Sequence, residues 1–158
     1  MEGMRWALLL LGGDLDDPPA YLDRATELLD RALGHHPCSS RDHWTVPWGF
    51  HDHRLFLNRA LLVRTRCAPQ DLMLLALDIE RELGRQRPAA GGYAPRTIDI
   101  DILLMEDLMV RSERLTLPHP RMHERAFALA PAADLCPEWV HPGLGRTVLD
   151  LLNDLHGR

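Results

Sequence analysis

The sequence predicts an α+β fold, a ferredoxin-like β-α-β-β-α-β sandwich with C-terminal additions, built by one domain over residues 1–158. Three observations lead there. Residues 5–11 (RWALLLL) form a continuous apolar run of the length of a strand buried on both faces. Two amphipathic stretches, 14–34 and 68–85, carry helix start and stop residues and flank a strand-prone region. Another strand pattern, 97–104, comes after the second of them.

The elements run in this order. After the first strand, Asp16 or Asp17 can cap a helix, Pro18 or Pro19 fits its first turn, and Gly34 fits just past its end. Leu22, Ala25, Leu28, Leu29 and Ala32 then share one helical face. Residues 38–65 read as two strand-prone stretches joined by an irregular loop around Pro47 and Gly49. In the second stretch Phe56, Asn58, Ala60 and Leu62 alternate with Leu57, Leu61 and Val63. The second helix begins near Pro69 and stops near Gly84. Residues 85–96 (RQRPAAGGYAPR) have no periodicity and the length of a functional lid. Beyond the strand at 97–104, a short helix is expected over 122–133 and another at the end of 140–155.

Hydrophobic content of 46% and charged content of 26% belong to a globular chain, and a net charge of −5 argues against nucleic-acid binding. The three cysteines, Cys38, Cys67 and Cys136, have no zinc or disulfide spacing and read as free thiols of a reducing compartment. The opening apolar run is too short to span a membrane, and Asp14, Asp16 and Asp17 come directly after it. A cytoplasmic protein with no membrane partner is the expectation.

The chemistry gathers in the stretch PRTIDIDILL, residues 95–104, which carries that strand. Aspartate disfavours strands and burial, yet Asp99 and Asp101 interrupt its most apolar stretch. Alternation puts both carboxylates on one face and Ile98, Ile100 and Ile102 on the other. Two carboxylates about 6.6–7 Å apart along a strand can converge on one cation or two. Magnesium suits them, because it needs only one or two protein carboxylates and fills its shell with water and phosphate oxygen. Arg85, Arg87 and Arg96 precede the strand, and Arg111, Arg114, Arg121 and Arg125 come after it. Guanidinium groups match phosphate oxygens, so the cluster points to a metal–polyphosphate complex. On the residues alone, D-x-D also suits other metal-dependent transferases, nucleotide-sugar transferases among them, or a strand face with two solvated acids.

YAPRTIDIDILL (93–104), RLTLPHPRMHERAFALAP (114–131), TVPWG (45–49), FLN (56–58) and LLGGDL (10–15) together resemble the 6-hydroxymethyl-7,8-dihydropterin pyrophosphokinase family over nearly the whole chain. The resemblance implies a ferredoxin-like sandwich and transfer of the β,γ-diphosphate of ATP to the pterin's hydroxymethyl oxygen, with release of AMP, in folate synthesis. It implies two magnesium ions on Asp99 and Asp101, with Arg85 and Arg96 as catalytic loop arginines and Arg87 at a further basic position. Arg114, Thr116, His119 and Arg125 match positions near the nucleotide and its phosphates. Thr45, Asn58 and Phe127 match the pterin pocket, with Trp48 and Phe56 lining it. A monomer working on two small molecules, the pterin and ATP, is the expectation.

The chain departs from that pattern at three places. Gly12, Gly13 and Asp14 stand where the family reads Gly-Ser-Asn, Gly92 where a basic residue is common, and His43 where an aromatic is common. These departures keep two alternatives in view: a diverged relative that binds a pterin or nucleotide with little catalysis, and a metal-dependent transferase with a different acceptor.

Overall fold

Strand β1, Arg5–Gly13, is the centre on which the other elements assemble, and seven of its nine residues are buried. The structure is a computed structural model that describes residues 3–46, 55–84 and 97–157. On either side of β1, and antiparallel to it, lie β4 (Phe56–Thr65) and β5 (Asp99–Met105). Two short strands, β2 (Cys38–Ser39) and β3 (His43–Thr45), pair with the outer edge of β4. The sheet therefore runs β2-β4-β1-β5, with β3 also beside β4. Each helical connection skips one strand: α1 (Pro18–Leu33) leads from β1 past β4, and α2 (Pro69–Glu82) leads from β4 past β1 to β5.

Local chemistry sets the helix ends. Asp17 caps α1 through a carboxylate that accepts from the Ala20 N–H at 3.4 Å, with Pro at the first turn where no N–H is missed. Gly34, at φ 75°, takes the left-handed conformation that stops the helix, and its N–H donates to the Asp30 carbonyl.

Alternation along β1 gives the sheet two apolar faces. Ala7, Leu9 and Leu11 pack with Leu22, Ala25 and Leu29 of α1 and Leu72, Ala76 and Ile79 of α2. Leu8 and Leu10 pack instead with Ala128, Leu129 and Ala132 of α3 (Ala126–Leu135) and with Val148, Leu151 and Leu152 of α4 (Val148–His156). The expected C-terminal additions are thus a third layer, needed because a strand apolar on both sides must be covered on both. The helix expected over 122–133 is two pieces. A 3₁₀ turn at Met122–Glu124 precedes α3, and Arg125 between them is extended at φ −121° and ψ 102°. Residues 106–120 hold a small hairpin, β6 (Val110–Arg111) with β7 (Thr116–Leu117). Among the described residues, no helix is long and apolar enough to cross a membrane. The cysteines are free; Cys38 is exposed, and burial pushes the Cys136 thiol up to about 12.

A register shift in β5 changes which layer its last residues face. Leu8 pairs with Leu104 but Leu9 pairs with Ile102, so Leu103 is an extra residue. Leu103 and Leu104 both face α3 and α4, while Ile98, Ile100 and Ile102 face α1 and α2.

Candidate active site

Asp99 and Asp101 stand on the sheet face opposite the isoleucines, half-buried, as alternation predicts. Asp101 pairs with Leu10 and Asp99 with Gly12 on β1. On the other side of β1, Gly12 pairs with Asn58, and Asn58 pairs in turn with His43 on β3. Paired residues of neighbouring antiparallel strands share a face, so His43, Asn58, Gly12 and Asp99 make one row across four strands. At the usual strand spacing the backbones of Asn58 and Asp99 are about 9–10 Å apart. Phe56, two residues before Asn58 and paired with Thr45, lies on the same face.

The glycine in this row is a requirement of space. A Cβ on Gly12 would lie 2.7 Å from Phe56 Cε1 and 3.0 Å from Asn58 Oδ1. The Phe56 ring and the Asn58 amide thus close over bare backbone. Asn58 is 2% exposed, and its Nδ2 has no hydrogen-bond partner among the described residues. Leaving an amide donor buried and unmatched costs about 1–3 kcal/mol, a cost that an acceptor on a bound molecule would offset. Phe127, near the start of α3, is 38% exposed, and the Arg125 guanidinium lies over its ring at 5.4 Å. Asp14, at the end of the Gly12–Gly13 segment, is buried.

Beyond the aspartates a cavity of about 530 Å³ opens along β5, which is the edge of the sheet. One wall is apolar: Met73, Ala76 and Leu77 of α2 with Ile100 and Ile102. The opposite side is polar, with Asp99, Asp101, Glu113, Arg114, Thr116 and His119. His119 is anchored by its backbone N–H, which donates to the Leu103 carbonyl of the bulge at 2.9 Å. Its Nδ1 accepts from the Arg121 N–H at 3.2 Å, so in the neutral ring Nε2 carries the hydrogen. Burial first, and then the Arg125 charge, hold the imidazole below its ordinary pKa, with Asp99 pulling the other way.

The expected site residues therefore divide into two groups. Asp99, Asp101, Arg114, Thr116 and His119 line one cavity; Thr45, Phe56 and Asn58 sit along the same sheet face, with Arg125 and Phe127 at the start of α3. Trp48, Arg85, Arg87 and Arg96 lie outside the described residues, as do His51, His53 and Gly92. Glu80 of α2 was not anticipated. It is 4% exposed and its Oε2 accepts from the N–H of Ile100, the residue between the two aspartates, at 2.8 Å. Its spacing from Leu72 and Ala76, eight and four residues, is the signal that puts it on the buried side of the helix.

Two carboxylates side by side on a rigid strand, on the polar side of the cavity, offer the hard oxygens that magnesium prefers. Among the described residues no group of three or more His, Cys, Asp or Glu could hold a metal; magnesium needs only one or two protein carboxylates and fills its shell with water and phosphate oxygen.

A family model described as 7,8-dihydro-6-hydroxymethylpterin-pyrophosphokinase (HPPK) matches residues 8–137. A 2-amino-4-hydroxy-6-hydroxymethyldihydropteridine pyrophosphokinase of Porphyromonas gingivalis is 43% identical over 136 residues, 85% of this chain and 92% of its own. The Bacillus subtilis protein of the same name is 40% identical over 133 residues, 84% of this chain and 78% of its own. Among solved structures, an HPPK-DHPS chain of Plasmodium falciparum crystallised with pteroate superimposes with a TM-score of 0.79 at 16% identity. That likeness covers 98% of this chain and 43% of that one, so this chain spans less than half of its length.

Proposed function

The chain belongs to the 7,8-dihydro-6-hydroxymethylpterin-pyrophosphokinase family, and we propose that the sheet face bearing Asn58, Gly12, Asp99 and Asp101 is where it performs that family's reaction. The enzyme transfers diphosphate from ATP to the hydroxymethyl group of 6-hydroxymethyl-7,8-dihydropterin, giving the pterin diphosphate and AMP, a step in folate biosynthesis. The observation that supports the placement is the row itself. A buried, unmatched amide donor and a carboxylate stand two strands apart with no side chain between them.

Asn58 offers both a donor and an acceptor to the amide-like edge of a pterin, and Phe127 offers a face for stacking. Thr45 and Phe56 complete that pocket, and Trp48 is proposed to line it. The apolar wall of the cavity suits the flat base of ATP, and Arg114, Thr116, His119 and Arg125 suit its ribose and phosphates. Arg85, Arg87 and Arg96 are proposed to close over the triphosphate from the segment before β5. Asp99 and Asp101 would hold magnesium, two ions in this reading. When bound there it supplies charge neutralisation of the phosphates and a lowered pKa for the attacking hydroxyl. Glu80 keeps the backbone between the two aspartates in place. The protein's own part is positioning: it aligns the hydroxymethyl oxygen with the β-phosphorus for in-line displacement of AMP. In this reading the chain is a monomer with one domain over residues 1–158, working in the cytoplasm.

AMP formation from ATP, measured with magnesium and with or without 6-hydroxymethyl-7,8-dihydropterin, tests this reading. One AMP per pterin diphosphate is the expected result. No AMP in the presence of the pterin would favour a binding module, and pterin-independent release a different acceptor.

A further inference from the structure

His43 shares its sheet face with Asn58, its cross-strand partner, and reaches from β3 to the far end of α3. Its Nε2 lies 2.8 Å from Asp134 Oδ2. Arg41 grips the same carboxylate with two nitrogens, Nη2 to Oδ1 at 3.0 Å and Nε to Oδ2 at 3.2 Å. The Arg41 guanidinium above all holds the Asp134 carboxyl down at about 2, so it is an anion across the working pH range. A carboxylate can only accept, so Nε2 of His43 carries the hydrogen in this bond.

The link joins the two walls between which the pterin is proposed to lie. Thr45 and Asn58 belong to the β3–β4 wall, and Phe127 belongs to α3, the helix that also carries Asp134. A flat heterocycle stacked on Phe127 while bonded to Asn58 needs those walls at one fixed spacing. Ala60 of β4 packs with Ala128, Leu129 and Ala132 of α3, and the His43–Asp134 bond adds a polar tie between that helix and the strand beside Asn58.

We propose that His43, held by the Asp134 carboxylate, is a positioning residue for the pterin, setting the separation of Asn58 and Phe127. The inference rests on the pyrophosphokinase reading and adds a residue to it. It acts on the acceptor side alone, because His43 is three strands from Asp99, about 14–15 Å at the usual spacing.

Steady-state kinetics with 6-hydroxymethyl-7,8-dihydropterin and Mg-ATP, on the whole chain with melting temperatures alongside, test it. His43→Ala and Asp134→Ala are expected to raise KM for the pterin about tenfold, the worth of one charge-assisted positioning bond, with KM for ATP and kcat within about twofold. His43→Gln keeps an N–H donor for Asp134 and is expected to recover most of that loss. Arg41→Ala leaves the His43–Asp134 bond and is expected to stay near wild type. An unchanged pterin KM in both folded alanine variants, or an equal rise for both substrates, would overturn the proposal. A wild-type protein that makes no AMP with the pterin would instead overturn the pyrophosphokinase reading, and this inference with it.

Discussion

Asn58 and Asp99 stand on the same face of the sheet, each paired in register with Gly12 on the strand between them. The two ends of the proposed reaction, acceptor recognition and metal holding, are therefore fixed to one rigid platform. Its spacing comes from strand geometry rather than from loop packing.

Gly12→Ala tests that platform from its middle. The new methyl carbon would meet Phe56 at 2.7 Å and Asn58 at 3.0 Å, so the ring and the amide must both shift. Overpacking of this kind costs about 1–3 kcal/mol, and here it falls on the pterin's proposed partners. KM for the pterin should rise at least about tenfold, with KM for ATP less affected, as measured by steady-state kinetics.

Removal of a carboxylate tests the other end. Asp101→Ala should lower kcat by about 10²-fold or more, as loss of a group that acts on transition-state charge does. The fold should survive, because the side chain is half-buried and not part of either apolar cluster. Circular dichroism with a magnesium titration of activity checks both; near wild-type turnover would sink the metal assignment.

Much of this platform was legible in the sequence, and the reason is periodicity. Alternation in a strand is strict, so Asp99 and Asp101 had to share a face opposite Ile98, Ile100 and Ile102. The same rule, applied to Leu8 and Leu10 against Ala7, Leu9 and Leu11, implies the third layer that α3 and α4 supply. The bulge at Leu103 was not legible, because consecutive leucines fit either face equally well. Nor was the bond between His43 and Asp134, which joins positions 91 residues apart and leaves no local pattern. Glu80 was hidden by its type: a glutamate in an amphipathic helix reads as solvated, and only the edge-strand N–H of Ile100 makes its burial sensible.

Arg59 offers a stability test away from the site. It is 8% exposed on β4 and faces α1, with Nε and Nη2 on Asp42 at 2.7 and 3.2 Å and Nη1 on Asp23 at 2.7 Å. Water reaches both aspartates, so loss of the pair costs less than a fully buried one would. Arg59→Leu should lower unfolding free energy by about 1–3 kcal/mol in urea titration, while kcat stays near wild type.

His141 should give the fold an acid-sensitive contribution. It is buried, and its Nδ1 accepts from the N–H groups of Gly143 and Leu144, both at 3.1 Å. Burial first, then the neighbouring His123, holds its pKa below the ordinary value. The unfolded chain then binds the proton more readily than the folded one. The contribution is thus present above about pH 6.5, the unfolded value, and lost as pH falls through the folded one. Melting temperatures at pH 5 and pH 8 should differ less in His141→Asn, whose amide oxygen can accept the same N–H groups without titrating.

A structure of the protein with magnesium, a non-hydrolysable ATP analogue and 6-hydroxymethylpterin tests the central claim most directly. The expected result is magnesium about 2.0–2.1 Å from oxygens of both Asp99 and Asp101, with the amide-like edge of the pterin on Asn58 and its ring against Phe127. Magnesium held elsewhere, or a pterin bound away from the Asn58–Gly12–Asp99 row, would contradict it.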